Sequence, residues 1–516
     1  MHSNSRTAKS LKNSSIALVF YAINLILQFF SRKIFLDRLG SDILGLNTTA
    51  SNMLQFLNLA ESGIGAAVGF SLYAPLYRND RQAINDILSL QGKLYRRIAC
   101  IVMAAALALM AFFPLIFAKM QLPLWYAYAS FGVLLFSALL GYFVNYKQVL
   151  LSADQKEYKI QYSYKAAMSA KLILQITAVK SFENGYLWWL VTEALFAVIG
   201  SFVLHRTVKN TYPFLKNTPR PLKELNAAYP ATGTKIKQLF LHKIGNFALT
   251  QTSPLIIYAF LSLTAVAVYG NYMLVVTGLI TLAGALSNGL TAGIGNLVAE
   301  GDIQKIMAVF EELFCVRFLI AAVIAFGFFI LAQPFVTLWL GHDYLLPDST
   351  LGILTAILFI NVSRYSVESY LNAYGFYYDV WAPLTEAAIN VGLSILLGHL
   401  FGLNGILCGV LISLLVIVLG WKPLFLFAIN LKQGYRRYLA IYAKHMAITA
   451  ATAFISYRLL KLFPADPSQS VRNLLLYTTA ALGVFTLPLT AALWAAKCGI
   501  DRFFARLRRL KPSVKN

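Results

Sequence analysis

Ionisable residues rarely interrupt the apolar stretches of this sequence, and the few that do have chemistry to perform. Lys171 falls about nine residues from either end of a helix expected over 161–180, which at a rise of roughly 1.5 Å per residue places its ammonium near mid-span. Snorkelling cannot rescue it there, and an unneutralised lysine costs on the order of 2.5–3.5 kcal/mol. Glu193, on the next expected helix, lies at similar depth once the two fold back around Glu183. Two readings stand open: Lys171 and Glu193 form a structural pair, or Lys171 is held for an anionic ligand and Glu193 for a coupling cation. Lys165 is nearer one end of the same helix, where snorkelling accounts for it as well as binding does.

A second constellation follows in 361–372. Asn361, Arg364, Glu368 and Asn372 are spaced by three and four and share a helix face, with Arg364 and Glu368 placed for an intrahelical ion pair. Glu386 lies in the next expected helix. This self-neutralisation makes the second half of the chain less cationic than the first, so an anionic ligand is expected mainly on the first half.

The stretch Gly45 to Arg81 is apolar yet striped with amides. Thr48, Asn52, Gln55, Asn58 and Ser62 fall on one helical face, the pattern of a membrane helix looking into a cavity or gluing two helices together. Asn24 and Gln28 share a face of the first apolar run, and Asn246, Thr250 and Ser253 share one further on; each set is cavity lining or glue. Glu61 lies within a turn of Gly63 and Gly65, where close packing and a flexible turn suit a gate. Arg32 and Lys33 sit at the far mouth of the first helix, as guards or interfacial anchors.

Other chemistries lack their residues. The six histidines and the scattered Cys100, Cys315, Cys408 and Cys498 show no metal-ligand or disulfide spacing, and the cysteines read as small core residues. Gly233-Thr234-Lys235 lacks the upstream glycine and strand of a nucleotide-binding loop, and no nucleophile motif is present. The expectation is a protein without cofactor, metal or catalytic apparatus.

The elements that carry these residues are membrane helices. The chain is 58% hydrophobic and 13% charged, with a mean hydropathy of +0.64. Apolar periodicity predicts about fourteen spans, near 14–36, 43–73, 93–118, 123–150, 161–180, 186–207, 238–262, 266–296, 312–335, 345–373, 381–399, 403–430, 438–462 and 471–497. Basic residues cluster on one side, among them Lys9, Lys12, Arg78, Arg96, Lys147, the run from Arg206 to Lys243, Lys305, Arg317, Arg436 and the tail from Lys497 to Lys515. By the positive-inside rule both termini are cytoplasmic and the span number is even. The net charge of +23 is thus a topology signal spread over short loops, and a nucleic-acid partner is not expected. The first run ends in SRKIFLDRLG instead of a small-residue cleavage site and reads as a retained helix.

A weak internal repeat divides the chain. Gly63-Ile64-Gly65 is echoed by Gly293-Ile294-Gly295, Asp80 with Ile84 by Asp302 with Ile306, and Leu151, Ala153 and Tyr158 by Leu371, Ala373 and Tyr378, in the same order. The expected fold is all-α and polytopic: two six-helix lobes related by a pseudo-twofold along the membrane normal, plus two C-terminal helices. The expected organisation is a basic tail over 1–13, an N-lobe over 14–207, a cytoplasmic linker over 208–237, a C-lobe over 238–430, helices 13 and 14 over 431–497, and a basic tail over 498–516.

The block LGSDILGLNTTASNMLQFLNLAESGIGAAVGFSLYAPLYRND, followed by SLQGKLYRRIA, resembles the polysaccharide transporter family of the multidrug/oligosaccharidyl-lipid/polysaccharide exporter superfamily. The resemblance runs over nearly the whole chain in span order and loop length, and is specific in this first block. It implies a flippase that carries undecaprenyl-pyrophosphate-linked oligosaccharide repeat units across the bacterial inner membrane by alternating access, for O-antigen, capsule or exopolysaccharide. Lys171 would then anchor the pyrophosphate, with Lys165 and Arg364 as further cations and Asn24, Gln28, Asn52, Gln55, Asn58 and Asn246 lining the path. Glu61, Glu193, Glu368 and Glu386 would serve ion coupling, by H+ or Na+, or gating. Membrane lipids and a polymerase of the same export pathway are the expected partners. The alternatives are a cation-coupled multidrug exporter of the same superfamily, which should favour buried carboxylates, a lipid II flippase, and a membrane polymerase or glycosyltransferase, which should show a large extramembrane loop with clustered catalytic residues.

Overall fold

The computed structural model describes residues 2–510 except 62, 231, 235, 237–250, 377 and 380. All regular structure among the described residues is helical. Hydrocarbon offers no partner for a backbone amide, so a segment that crosses it alone must close its own hydrogen bonds, and the helix does so within one segment. Ten helices among the described residues are long and apolar enough to cross a membrane. The chain forms two compact units, 1–267 and 268–516.

The first unit contains α1 (His2–Asn58), α2 (Ile64–Arg78), α3 (Arg81–Ala111), α4 (Trp125–Phe143), α5 (Ala166–Ser181), α6 (Gly185–Thr211) and α7 (Leu222–Ala228). The expected first and second spans are joined end to end in α1, which turns at Gly40 with φ 83° and ψ 171°, a conformation strained for any residue with a Cβ. The segment expected as a basic tail over 1–13 is the beginning of this same helix. The expected helix 43–73 is interrupted. After Asn58 come a 3-10 turn, Leu59–Glu61, and Gly63 at φ 98°, from which α2 starts afresh.

The expected linker also has structure. Asp86 of α3 is 2% exposed and accepts from Thr218 Oγ1 at 2.7 Å, Gln82 Nε2 at 3.0 Å and Arg220 Nη1 at 3.3 Å, while the Thr218 N–H donates to Ser89 Oγ at 2.8 Å. A buried carboxylate needs such company, and satisfying it straps the chain after α6 onto α3 before α7 forms.

Residues 251–267 also pack in this unit. The backbone of Leu263 approaches Gly45 so closely that a Cβ there would lie 2.0 Å from the Leu263 carbonyl oxygen. Around that contact Thr264 Oγ1 donates to Asp42 at 2.7 Å, Arg32 Nη2 to the Ala267 carbonyl at 3.2 Å, and the Tyr258 hydroxyl to the Ile116 carbonyl at 3.1 Å.

Across the division runs α8 (Leu263–Glu300), and the second unit continues with α9 (Ile303–Leu340), α10 (Asp348–Ser363), α11 (Tyr365–Tyr374), α12 (Trp381–Ser413), α13 (Tyr435–Leu460), α14 (Val471–Ala495) and α15 (Ile500–Leu510). α12 bends at Gly402, φ 57°, and is followed by π-helical turns to Asn430, so the expected eleventh and twelfth spans are again one run. Its core is aromatic. Phe310 meets Phe427 at 5.0 Å and Tyr370 at 5.1 Å between centroids, and Phe326 stacks on Phe485 of α14 at 4.1 Å.

The repeated residues punctuate the helices in the same way in both units. Asp80 and Asp302 are the N-caps of α3 and α9, accepting from Ala83 N–H and from the N–H groups of Gln304 and Lys305. The Leu151 carbonyl accepts from Lys156 N–H at 2.8 Å and that of Leu371 from Phe376 N–H at 2.9 Å, each closing a helix through a left-handed residue, Gln155 or Gly375. The glycine triplets differ. Gly63 breaks its helix, whereas α8 runs through Gly293–Gly295.

Gly45→Ala must push Leu263 away. Overpacking of this kind costs about 1–3 kcal/mol, so thermal unfolding of the detergent-solubilised variant should fall clearly below the parent; an unchanged midpoint would show that the close approach does not form.

Candidate functional site

The hairpin of α5 and α6 brings together the deep ionisable residues of the first unit. Lys171 Nζ donates to Glu193 Oε1 at 2.7 Å, and Gln175, one turn along α5, donates from Nε2 to Glu193 Oε2 at 2.9 Å. Gln175 was not anticipated, although its i+4 spacing from Lys171 marked it. Both charged side chains are largely withdrawn from the surface, 14% exposed for Lys171 and 12% for Glu193. Lys171 is therefore neutralised in this conformation. Removing one partner of a buried pair strands the other, at a cost of about 3–5 kcal/mol.

Around this pair the amides divide into two kinds. Asn24 donates to Ser169 Oγ at 3.0 Å and to its own Phe20 carbonyl at 2.9 Å, tying α1 to α5 one turn from Lys165. The Lys165 and Gln28 side chains are exposed and join no cluster. Asn52 is buried and donates to the Thr48 carbonyl at 2.7 Å, while Gln55 is exposed and turns toward Ser51. Asn246 and Thr250 lie outside the described residues. Asn47 is buried, with its Oδ1 accepting from Ser130 Oγ at 2.6 Å and from the Tyr186 hydroxyl at 3.2 Å, which makes it a lock between α1, α4 and α6.

The break after α1 is clasped by tyrosines. The Tyr95 hydroxyl of α3 donates to Glu61 Oε1 and the Tyr142 hydroxyl of α4 to Asn58 Oδ1, both at 2.7 Å, and the two rings meet edge to face at 5.7 Å. Tyr146 completes the group against Gly92, where a Cβ would come within 2.8 Å of its hydroxyl. Glu61 thus sits beside Gly63, in a turn held by hydrogen bonds from two other helices. Tyrosine was not among the expected site residues, since an amphipathic ring in an apolar helix carries no spacing signal.

In the second unit Arg364 and Glu368 make the expected pair, Nε to Oε1 at 2.6 Å, and Arg364 Nη1 reaches Asn361 Oδ1 at 3.4 Å. Glu386 is 3% exposed and its Oε1 has no hydrogen-bond partner; one turn on, Asn390 is fully buried with its Nδ2 likewise unpartnered. Arg317, expected among the cytoplasmic basic residues, is instead 1% exposed and donates from Nη1 to the Tyr365 carbonyl at 2.7 Å and Ser369 Oγ at 2.8 Å. Its position, on the order of 20 Å into α9 from the Asp302 cap, was the signal for burial. Of the cysteines, Cys315 and Cys498 are buried as expected, but Cys100 is exposed on the apolar surface of α3.

No protein-family model and no curated protein matches the sequence. Solved structures do match its fold. A lipid II flippase, MurJ, in an inward closed conformation superposes with a TM-score of 0.68 at 14% identity, covering 93% of this chain and 99% of the flippase. A multidrug resistance MATE family transporter of the MOP superfamily, inward-facing, superposes with a TM-score of 0.59 at 14% identity over 80% of this chain and 96% of its own. A second MATE structure, outward-facing, reaches 0.53 over 80% and 94%. The chain is a multi-pass membrane protein with the MurJ/MATE transporter fold.

Proposed function

We propose that this protein is a flippase that moves undecaprenyl-pyrophosphate-linked oligosaccharide repeat units from the cytoplasmic to the outer face of the bacterial inner membrane, with both termini cytoplasmic. The observation that carries this reading is the extent of the flippase superposition. It covers 93% of the chain, against 80% for the MATE structures. The buried lysine of α5 adds to it, since a pyrophosphate headgroup needs a cation that can leave its present partner. The absence of enzyme motifs in the sequence favours transport over polymerisation.

The proposed mechanism uses partner exchange. Lys171 is paired with Glu193, which Gln175 orients. An arriving pyrophosphate offers Lys171 a doubly ionised partner and releases Glu193, whose stranded carboxylate then favours taking up a cation. Asn58 and Asn52 are proposed as further polar contacts in the first unit, and Arg364 as one in the second. Outer-face closure is proposed at Gly45 and Leu263, and reopening follows when that contact parts. Glu386, with its orphaned oxygen beside Asn390, is the proposed coupling site for H+ or Na+. Lys165 and Gln28 remain proposed path residues on the exposed face, Gln55 a sugar contact, Asn246 a path residue of the seventh span, and Glu61 and Glu368 gate residues.

One alternative has an observation of its own. A buried carboxylate with a free oxygen is what a cation-coupled multidrug exporter needs, and Glu386 provides it. Proteoliposomes separate the two: lipid-linked oligosaccharide should become accessible on the far leaflet, and extrusion of a cationic dye without that movement would favour the exporter.

Replacing both partners, Lys171→Met with Glu193→Leu, isolates function from folding. An apolar pair of similar volume is neutral or stabilising, so the double variant should fold while flipping drops by about tenfold or more, the factor set by a charge-assisted contact of about 1.5–3 kcal/mol. Parental flux in that variant would leave the pair a structural role alone. Glu386→Gln should abolish the acceleration of flux by an imposed H+ or Na+ gradient while leaving downhill exchange; retained gradient dependence would remove Glu386 from coupling.

A further inference from the structure

The chain beyond α3 reads FFPLIFAKMQLP over residues 112–123. Pro114 cannot continue the hydrogen-bond ladder of α3 and opens a single further turn, Phe113–Ile116. Phe113 is fully buried and meets Phe117 at 5.1 Å and Phe131 of α4 at 5.3 Å between centroids, which pins that turn. Leu115, Ile116 and Ala118 are left to face the segment 251–267 across a gap. Tyr258 bridges it at one point: its hydroxyl donates to the Ile116 carbonyl at 3.1 Å and its ring lies 5.5 Å from that of Phe117.

Two chambers occupy the gap. The larger, about 530 Å³, is walled by Met53 and Phe56 of α1, Leu109 of α3, Leu115 and Leu255, and among the described residues around it Lys119 alone is charged. Pockets of about 300–1,000 Å³ are the size that takes a small ligand. The smaller, about 310 Å³, is polar, with Asp42, Lys119, Gln121, Ser262 and Thr264 around it. Lys119 and Tyr258 belong to both, so the chambers adjoin. Their order follows the helix axis. Asp42 stands just past the bend at Gly40, and Phe56 is roughly 21 Å further along the same helix. In a hydrocarbon core of about 30 Å the apolar chamber therefore reaches toward the middle, while the polar one sits at the end of the spans. Lys119 and Asp42 line the polar chamber together, and among the described residues neither is in an ion pair.

We propose that the two chambers bind one glycerophospholipid whose headgroup carries a phosphate and a primary ammonium, as phosphatidylethanolamine does. An acyl chain lies in the apolar chamber, Lys119 donates to the phosphate, and Asp42 accepts from the ammonium. Charge complementarity selects this occupant. An anionic lipid without the ammonium satisfies Lys119 but is repelled by Asp42, and a trimethylated ammonium has no N–H to give that carboxylate. The proposed pyrophosphate cargo is more anionic still, so the site is independent of it and of the Lys171–Glu193 pair. Leu263 also walls the polar chamber, and its backbone closes on Gly45, so a bound headgroup bears on that contact.

The test reconstitutes the full chain in vesicles of phosphatidylethanolamine, phosphatidylglycerol and phosphatidylcholine in equal parts, extracts it again, and counts the lipids retained per protein by native mass spectrometry. The parent should retain phosphatidylethanolamine in preference to either other lipid. Lys119→Gln should lower that retention by about tenfold, the loss of one charge-assisted hydrogen bond, and Lys119→Arg should restore it. Asp42→Asn should remove the preference over phosphatidylglycerol. Ala259→Phe, which fills the apolar chamber, should lower retention of all three lipids without changing their ratio. Equal retention of the three by the parent would overturn the proposal. So would an unchanged pattern in a Lys119→Gln or Asp42→Asn variant that elutes as a monodisperse species. Displacement of the retained phosphatidylethanolamine by added lipid-linked oligosaccharide would overturn it too, and would assign the chambers to the cargo.

Discussion

Hydrocarbon solvates neither a charge nor an unpaired amide, and the arrangement of this protein follows from how its few polar groups answer that constraint. Among the described residues, the partners recruited by Lys171 and Arg317 join one helix to another. Lys171 and Glu193 close α5 onto α6, with Gln175 completing the carboxylate's shell. Arg317 is held by a carbonyl and a hydroxyl of the α11 region, which binds α9 to it. Arg364, at the junction of α10 and α11, finds its carboxylate one turn on, in α11. Glu386 is the exception, with one oxygen unanswered. An orphaned buried acceptor costs on the order of 1–3 kcal/mol.

The same constraint governs where helices stop. A helix end leaves amides without intrahelical partners, and side chains gather at several of the ends here. The turn at Leu59–Gly63 coincides with the hydroxyls of Tyr95 and Tyr142, while the aspartate caps at Asp80 and Asp302 and the bends at Gly40 and Gly402 mark ends of spans. The break beside Glu61 is thus a supported interruption inside an otherwise apolar run.

The proposed transport cycle needs charges that are paired at rest and can be re-paired by cargo. A free lysine in mid-membrane would be too costly to keep, and a permanently locked pair would do no work. The Lys171–Glu193 pair, small in exposure, with Lys165 just before α5 and Asn24 of α1 bonded to Ser169 of α5, stands between these limits.

Composition and periodicity were enough to establish a polytopic helical protein, and the repeat marked the helix caps at Asp80 and Asp302, because burial in lipid writes itself as apolar length and capping as an aspartate before a helix. The i+4 pair of Arg364 and Glu368 was legible because its partners are one turn apart in the sequence. Pairings between helices were only partly so. Lys171 and Glu193 could be matched by depth, but whether they pair depends on how α5 turns against α6. The sequence was silent on the Tyr95 bond to Glu61, the strap on Asp86, the burial of Arg317 and the pairing of Arg502 in α15 with Glu311, since each joins residues brought together by packing across helices. Local sequence determines which groups must be satisfied in a bilayer; only the tertiary structure decides by whom, because in a low-dielectric interior the nearest available donor in space, not in sequence, settles the matter.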